Sequence, residues 1–374
     1  MSRPICQDPA AYFAAFLALP HMGPSRFEKL FSCFDGNPEV AWGSIGLAAC
    51  EGVGIKGAEY EALAAVWERY DPVAEAVRIR EAGIAMVTVL DDAYPALLKE
   101  IIRPPWVLFV RGVLPKPDMP LLGVVGTRKV SPYGLQVIPP LVKDICHRGI
   151  GIVSGLALGV DGIAHRAALD ACGYTVGVLA TGVDEASIYP RDHVRLSRDI
   201  IARGGCILSE FLPGTAPEKY YFPQRNRVIS GMSLGVVVGE ADERSGSLIT
   251  AFCALEQNRE VFAIPGPITN QLSRGPHMLL KKGAHLLASI DDIIECFPQY
   301  AGGVLSSAVV RGPLDEISKT IYDSLTEEPT HVNEIAVRTG FDMATVNATL
   351  TMMELDGWTK NVGSMRYLRV SGPL

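Results

Sequence analysis

The chain has 374 residues, of which 48% are apolar and 20% are charged, and its formal net charge is −7. This composition excludes a disordered or collagen-like protein, and the length predicts about two or three domains. No apolar run approaches the roughly 18 residues of a membrane span, so no membrane partner is expected. The eight cysteines form no C-x-x-C pair, which favours reduced thiols in a cytoplasmic protein over a disulfide framework or a zinc site.

The acidic charge is distributed unevenly along the chain. Residues 1–90 hold 7 basic and 11 acidic side chains and residues 311–374 hold 6 and 9, whereas residues 91–310 hold 21 of each. Any basic surface therefore belongs to the middle of the chain, where Lys219, Arg225 and Arg227 lie close together. A local basic patch is enough for phosphate binding, so the net charge does not exclude a nucleic-acid partner.

Residues 1–80 are predicted to form a small domain of short helices. Two apolar stripes recur there at helical spacing, Phe27, Leu30, Phe31 and Phe34, and Tyr60, Leu63 and Trp67. The glycine-containing turns at 19–26 and 52–57 resemble those of SAM or helix–hairpin–helix modules, whose amides face DNA. Because His21 stands where that motif has glycine and the region is acidic, we favour a helical bundle and keep DNA contact as the alternative.

Residues 81–300 alternate β-branched runs with helical stretches. Six apolar runs predict strands, at Leu121–Val125, Ile150–Val153, Thr175–Leu179, Cys206–Leu208, Leu234–Val238 and Glu260–Ile264. Their continuous apolar character is typical of a parallel sheet buried on both faces. The helical segments between them predict right-handed crossovers and therefore a Rossmann-like, doubly wound, mostly parallel α/β sheet. The runs at 84–90 and 106–112 predict further strands that extend the sheet at an edge.

Residues 301–312 are predicted to be a linker to a third region, residues 313–374. That region has the pattern of three helices followed by a hairpin, which predicts a winged-helix-like domain. Asp342 is placed to cap the third helix, over 342–356. Because this helix has no Lys or Arg, we favour protein contact or dimerisation over the recognition of DNA bases.

Small and hydroxyl-bearing residues follow the predicted strands at their carboxyl ends, where an open α/β sheet binds ligands. They are Gly126-Thr127-Arg128, Ser154-Gly155, Thr181-Gly182, Ser209-Glu210 and Gly239-Glu240, the last followed by Arg244, Ser245, Gly246 and Ser247. Residues of this kind let backbone amides at helix N-termini approach an anion closely. The sequence therefore predicts a phosphate-binding crevice at this edge of the sheet.

The predicted crevice lacks the residues of known catalytic and cofactor motifs. There is no G-x-x-x-x-G-K-[ST] loop, and Gly123 and Gly126 do not complete a dinucleotide fingerprint. Asp161 and His165 lie one helical turn apart, but such a pair is more often a structural hydrogen bond than an acid–base couple. We therefore expect a binding site without a cofactor, a metal or a catalytic residue.

Five long motifs follow one another in the middle region. They are GVVGTRKVSPYG (123–134), SGLALGVDGIAHRAAL (154–169), LATGVDEASIYP (179–190), SEFLPGTAPEKYYFPQRNRVISGMS (209–233) and EADERSGSLITAFCALEQNREVFAIPG (240–266). Together they resemble the DNA-processing protein A family (DprA, also called Smf). The flanking regions resemble, less distinctively, the helical N-terminal and winged-helix C-terminal domains of some members.

The resemblance implies a cytoplasmic, non-catalytic protein that binds single-stranded DNA and forms homodimers through its Rossmann-like domain. Such a protein protects incoming strands and loads the RecA recombinase onto them during natural transformation. In the family, the arginine that matches Arg128 contacts the DNA backbone in a basic pocket, and the lysine that matches Lys219 lines the same pocket, where it would act as a point charge on phosphate. The aromatic that matches Phe222 lines the same pocket, where it can stack on a base, and Tyr220 and Tyr221 are nearby alternatives for that stack.

For two further sets of residues, the sequence is compatible with either DNA contact or a structural role. Arg225 and Arg227 either extend the basic patch or brace the strand ends by pairing with Glu240 or Glu210, and Asn226 between them is expected to contact DNA. Arg244 and residues 245–247 either contact phosphate or cap their own helix.

An enzyme is the alternative class. The sheet-edge layout also resembles nucleotide-processing Rossmann proteins such as phosphoribohydrolases, which carry P-G-G-x-G-T-x-x-E at the fifth strand. Here the corresponding residues are ERSGSLITA (243–251), so the glycine run and the catalytic glutamate are absent. An adaptor for which DNA contact is secondary is a third possibility, because both flanking regions are acidic.

Overall fold

The structure is a computed structural model that describes residues 8–34, 36–300, 314–326, 329–355, 358–361, 363 and 365–369. The chain divides into two compact units, Met1–Gly303 and Val304–Leu374. The linker predicted over 301–312 lies outside the described residues. In the described ranges, no helix is long and apolar enough to cross a membrane.

The first unit opens with six short helices. They are α1 (Pro9–Ala18), α2 (Pro24–Ser32), α3 (Pro38–Gly43), α4 (Leu47–Gly52), α5 (Ala58–Trp67) and α6 (Pro72–Glu81). Four of them have proline in the first turn, where its missing N–H removes no hydrogen bond. The predicted stripe residues Phe27, Leu30 and Leu63 are buried. They share one apolar core with Val107 and Phe109 of the sheet, so these helices pack directly on it.

Nine strands form the sheet of the first unit. They are β1 (Ala85–Thr88), β2 (Val107–Gly112), β3 (Leu121–Val125), β4 (Gly151–Ser154), β5 (Thr175–Val178), β6 (Cys206–Ser209), β7 (Gly235–Val238), β8 (Glu260–Ala263) and β9 (His285–Leu286). Their order is β1-β2-β6-β5-β4-β3-β7-β8-β9. β2 pairs antiparallel with β1 and β6, and the other pairs are parallel. The predicted Rossmann-like sheet with added edge strands is thus confirmed.

Helices cover both faces of the sheet. They are α7 (Ala96–Lys99), α8 (Pro132–His147), α9 (Val160–Asp170), α10 (Val194–Ala202), α11 (Tyr221–Gly231), α12 (Ser247–Glu256), α13 (Arg274–Lys281) and α14 (Ile290–Cys296), with short 3₁₀ turns at Arg191–His193, Gln271–Ser273 and Pro298–Tyr300. Alternate strand residues enter different cores, as Leu121 and Leu122 of β3 do. Because the strands are buried on both faces, their sequences are continuous apolar runs.

In its described residues, the second unit combines three helices with a small antiparallel sheet. They are α15 (Glu316–Ser324), α16 (Val332–Thr339) and α17 (Met343–Leu355), with β10 (Thr330–His331), β11 (Thr359–Asn361) and β12 (Arg366–Arg369) in the order β10-β12-β11. The Asp342 carboxylate accepts hydrogen bonds from the backbone N–H groups of Ala344 and Thr345, both at 3.0 Å, and so caps α17 as predicted. The arrangement confirms the winged-helix-like prediction.

Candidate nucleic-acid interface

A pocket of about 290 Å³ lies at the carboxyl edge of the sheet, beside the point where the strand order reverses at β3. Its walls come from the loop after β3, the start of α11 and the loop before α12. Among the residues lining it are Gly126, Arg128, Phe222, Arg225, Asn226 and Ser245. We call it the Phe222 pocket. In an open α/β sheet this switch point is the expected place for a ligand.

The loop after β3 is held by its neighbours on both sides. The Thr127 N–H donates to the Glu240 carbonyl at 2.6 Å, and the Thr127 carbonyl accepts from the Val160 N–H at 3.1 Å. A Cβ at Gly126 would lie 2.5 Å from the Val160 side chain and 2.8 Å from the Glu240 carbonyl oxygen, so only glycine fits there. The loop therefore fixes the backbone from which the exposed Arg128 side chain extends.

Glu240 is a buried carboxylate that fixes the start of α8. It accepts hydrogen bonds from the Ser131 backbone N–H at 2.9 Å and from the Ser131 hydroxyl at 2.5 Å. Ser131 in turn caps α8 by accepting the Gly134 N–H at 3.3 Å. The hydrogen-bond partners of Glu240 are thus Ser131 and, at 3.4 Å, Asn270. The pairing with Arg225 that the sequence left open does not form.

Arg225 lies at the floor of the pocket and is only 5% exposed. Its guanidinium donates to the carbonyl oxygens of Gly155 at 2.6 Å and Val178 at 2.5 Å, which lie at the ends of β4 and β5. Burial lowers the pKa of Arg225 to about 10, although the Asp161 carboxylate favours its charged form. Of the two interpretations of Arg225, the structure supports bracing of the strand ends, with carbonyl groups as its partners.

Arg227 lies on another side of α11, outside the Phe222 pocket. Its guanidinium forms an ion pair with Glu210, as one of the two interpretations had it, and donates to the Arg103 carbonyl at 2.8 Å. Burial raises the pKa of Glu210 to about 7, against the opposing effects of Arg227 and Gln224. Arg227 therefore joins the end of β6 to α11 and to the segment before β2.

Phe222 and Arg128 are brought together at the mouth of the pocket. The Arg128 guanidinium carbon is 5.5 Å from the centre of the Phe222 ring, which is a cation–π distance. Phe222 is half-buried, and Lys219 is exposed in the turn that precedes α11. The Tyr189 ring stands edge-on to Phe222 at 6.1 Å. Sequence reasoning missed Tyr189, although it is the penultimate residue of the run 179–190 that carried part of the family resemblance.

The loop before α12 supplies a helix N-terminus to the same pocket. The hydroxyls of Ser245 and Ser247 are 2.8 Å apart, and the Asn226 side-chain amide donates to the Gly246 carbonyl at 3.4 Å. Gly246 occupies the cap position, where it offers no side-chain acceptor. Arg244 is exposed beside this loop. Helix-capping by Ser245 is limited to one long contact, 3.4 Å from the Ser247 N–H.

Three polar residues that the sequence analysis singled out hold the fold together in the described part of the chain. The Ser154 hydroxyl is buried and donates to the Val124 carbonyl at 2.6 Å, so it does not reach the crevice as expected. Asp161 and His165 do not bond to each other: Asp161 accepts the Gly155 N–H at 3.0 Å, whereas the His165 ring contacts the Thr175 hydroxyl at 2.8 Å. Burial lowers the pKa of His165 to about 3, which keeps its ring neutral.

The described residues do not form a metal centre, because no group of three or more His, Cys, Asp or Glu side chains among them is placed to hold an ion. The fold and the site together define a class, a Rossmann-like α/β protein with a winged-helix unit and an arginine- and aromatic-lined pocket at its switch point. The chain belongs to the DNA recombination-mediator protein A family, whose model matches residues 85–298. A model described as the DprA winged helix domain matches residues 308–362.

Several relatives illustrate this membership. The DNA processing protein DprA of Bacillus subtilis is 47% identical over 226 residues, which are 59% of this chain and 73% of the relative. The solved structure of DNA processing protein A from Streptococcus pneumoniae matches with a TM-score of 0.66 and 34% identity, over 76% of this chain and 97% of that one. A DNA processing protein A from Helicobacter pylori, described for its single-stranded DNA binding mode, matches with a TM-score of 0.50 and 28% identity, over 58% and 96%.

Proposed function

We propose that the protein binds single-stranded DNA in the Phe222 pocket without catalysis, protects strands taken up in natural transformation and loads the RecA recombinase onto them. The observation that carries this proposal is the placement of the exposed Arg128 against the half-buried Phe222 ring, at the switch point of the sheet. The single-stranded DNA binding mode described for the Helicobacter pylori relative supports the same ligand.

The residues in and beside the Phe222 pocket each have a physical role in this proposal. Arg128 and Lys219 neutralise phosphates, which positions the strand without reading its sequence. Because the Thr127 amide already donates to Glu240, the loop after β3 offers the arginine side chain rather than that N–H to the anion. Residues 244–247 present the positive end of α12 to a further phosphate. Phe222 stacks on an unpaired base, which contributes roughly 1–3 kcal/mol and tolerates any sequence.

The buried ionisable groups near the pocket support a binding site rather than an active site. Asp161, His165 and Glu240 are all occupied by hydrogen bonds that hold the loops and the sheet. Asp161 borders the Phe222 pocket but accepts backbone N–H groups, and the His165 ring is fully buried although its Nε2 atom has no hydrogen-bond partner. A phosphoribohydrolase-like enzyme, the alternative class, requires a carboxylate that reaches the sugar.

A homodimer formed through the Rossmann-like unit is part of the proposal. Ile249, Phe252 and Leu255 recur along α12 at the i, i+3, i+6 spacing and leave apolar surface exposed. A second copy of the chain would cover this surface. We place the protein in the cytoplasm, where RecA and incoming strands meet.

Comparison of single-stranded with duplex DNA over a salt series tests the binding function. We expect the full-length protein to prefer the single strand, with an affinity that falls steeply as salt increases. Equal binding of both forms would contradict the proposal, because duplex DNA hides its base faces from Phe222. Incubation with nucleoside monophosphates provides the control for the enzyme alternative, and we expect no release of free base.

A further inference from the structure

A second cavity, of about 330 Å³, lies on the other side of the first turns of α11. The helix presents Phe222 and Arg225 to the Phe222 pocket, and it presents Tyr221, Gln224 and Arg227 to this second cavity. The opposite wall is formed by α1, α2 and the segment before β2. Both cavities therefore share one helix.

Six aromatic rings line the walls of the second cavity, and we call it the aromatic cavity. The rings belong to Phe13, Phe16, Phe27, Trp106, Phe211 and Tyr221. Phe27 meets Trp106 edge-on at 5.3 Å, and the Phe211 and Tyr221 rings are 4.2 Å apart. Because these rings also pack against one another, the cavity is preformed. Flat apolar walls of this kind suit a planar aromatic occupant.

The floor of the aromatic cavity is polar but electrically balanced. It contains the buried Glu210–Arg227 ion pair and the carboxamide of Gln224. At the rim, Arg103 and Glu28 form a second ion pair at 3.5 Å. Because each charge already has a partner of opposite sign, a charged occupant gains little here. The floor instead offers hydrogen-bond donors and acceptors to a neutral ring that carries both, which is the chemistry of a nucleobase.

Aromatic side chains continue from the aromatic cavity to the Phe222 pocket around the start of α11. The Tyr221 ring, in the cavity wall, contacts the Tyr220 ring at 4.4 Å, and Tyr220 is 64% exposed. Lys219 is exposed beside them, and Phe222 is the next residue after Tyr221. A single strand that crosses this turn would have a phosphate near Lys219. Its bases would lie near the aromatic rings of the Phe222 pocket on one side and of the aromatic cavity on the other, as on other single-strand binding surfaces.

We propose that the aromatic cavity receives an unpaired nucleobase of the same single strand whose other base stacks on Phe222. This inference rests on the proposed function, and it adds a second base site that involves the N-terminal helices. Free nucleotides carry the same base chemistry, so the experiment must distinguish a base of the bound strand from a free one.

Photocrosslinking of the full-length protein to an oligothymidylate that carries 5-iodo-2′-deoxyuridine locates the bases directly. We expect crosslinked peptides that contain Trp106 or Phe211, in addition to those that contain Phe222. Crosslinks confined to Lys219 and Phe222 would overturn the cavity assignment while leaving the Phe222 pocket in place. Failure of the wild-type protein to bind any oligonucleotide would instead overturn the proposed function itself.

A filling substitution at the mouth of the cavity tests the same inference by affinity. Leu17 lines the cavity and is 41% exposed, so Leu17→Trp fills the cavity from an accessible position. Leu47, 51% exposed on α4, provides the matched control Leu47→Trp. We expect Leu17→Trp to weaken oligonucleotide binding about fivefold or more, the loss of one stacked base, and Leu47→Trp to match the wild type. Equal affinities of the two variants would overturn the inference.

A titration with thymidine monophosphate distinguishes a base of the bound strand from the base of a free nucleotide. We expect no saturable quenching of tryptophan fluorescence by the free nucleotide at concentrations where the oligonucleotide saturates the protein. Quenching by the nucleotide, combined with an unchanged oligonucleotide affinity in Leu17→Trp, would assign the cavity to a free nucleotide and overturn its assignment to the strand.

Discussion

Arg128 and Arg225 have the same side chain but stand in opposite environments. Arg225 is buried and its guanidinium is taken up by two carbonyl groups, whereas Arg128 is exposed and contacts the Phe222 ring. An exposed guanidinium keeps its donors available for a phosphate. The burial of Arg225 and its two carbonyl partners make it a brace of the strand ends, whereas the exposure of Arg128 supports the DNA contact that we propose for it.

We predict that Arg128→Ala and Lys219→Ala each weaken single-strand binding for all base sequences, because phosphate contacts carry no base information. The slope of log affinity against log salt should become shallower by roughly 0.7 for each contact that is lost. Arg78→Ala is the control, since Arg78 is an exposed arginine on α6 that pairs with Glu75. Unchanged salt slopes in both Arg128→Ala and Lys219→Ala would contradict the phosphate contacts that we propose for these two residues.

At the scale of elements, α11 joins the sheet edge to the N-terminal helices through the Glu210–Arg227 pair. Glu210 follows β6 directly, and Arg227 also donates to the carbonyl of Arg103 before β2. Both residues line the aromatic cavity. The position of α11 is therefore tied to an ion pair whose carboxyl group titrates near neutral pH.

We predict that the free energy of unfolding decreases as the pH rises from about 4.5 to 7, because of Glu210. Its pKa is raised from 4.5 to about 7 in the folded protein, so the unfolded chain releases this proton at lower pH, and a rise in pH through this window favours unfolding. The shift corresponds to at most roughly 3 kcal/mol. Urea unfolding at several pH values should show that Glu210→Gln loses this pH dependence, whereas Glu243→Gln, an exposed control, keeps it. Parallel curves for all three proteins would contradict this role of Glu210.

The sequence predicts the strands well because their burial on both faces leaves a continuous apolar signal. β3 is observed as predicted, and β5 and β6 differ from their predicted bounds by one residue at the carboxyl end. The pairing of β2 with β6 is not visible in a single sequence, since the two are far apart in the chain. For the same reason, the packing of Trp106 against Phe27 and Phe31 could not be predicted.

The position of a site residue could be predicted where it depends on a short segment of sequence. It could not be predicted where it depends on contacts between distant segments. Gly126 and Arg128 follow a strand directly, so their place at the sheet edge follows from local pattern. The bonds of Arg225 depend on carbonyl groups of β4 and β5, which meet only through parallel pairing. The sequence cannot tell a buried serine from an exposed one. Ser154 lies beneath the sheet edge, where its hydroxyl donates to the Val124 carbonyl and does not reach the crevice.

At the scale of the whole molecule, the winged-helix unit has little positive charge to offer DNA. The described helix α17 carries no Lys or Arg, and residues 311–374 hold 6 basic and 9 acidic side chains. Two arginines of the wing already have contacts within the unit, because Arg369 lies over the Tyr322 ring at 4.2 Å and Arg366 donates to the Pro329 carbonyl at 3.2 Å. We therefore expect protein contact or dimerisation, rather than DNA binding, from this unit.

We predict that removal of residues 313–374 leaves single-strand affinity within a few-fold of the full-length value. Phosphate would be repelled by the net charge of this region, so its loss costs little binding. Fluorescence anisotropy with the same oligonucleotide measures both proteins under one salt condition. A tenfold drop, about 1.4 kcal/mol, would contradict this expectation and assign DNA contacts to the wing.

Single-strand binding at the Phe222 pocket is tested most directly by the affinity of Phe222→Ala, with thermal melting of the same protein as its control. We predict a loss of roughly 1–3 kcal/mol in single-strand affinity, an unchanged salt slope and a melting temperature close to that of the wild type, while Phe222→Tyr retains most of the affinity. A different result would follow if Phe222 only packed the core, because Phe222→Ala would then cost roughly 3–5 kcal/mol of folding stability. A large fall in melting temperature, with normal binding by the protein that remains folded, would contradict base stacking on Phe222.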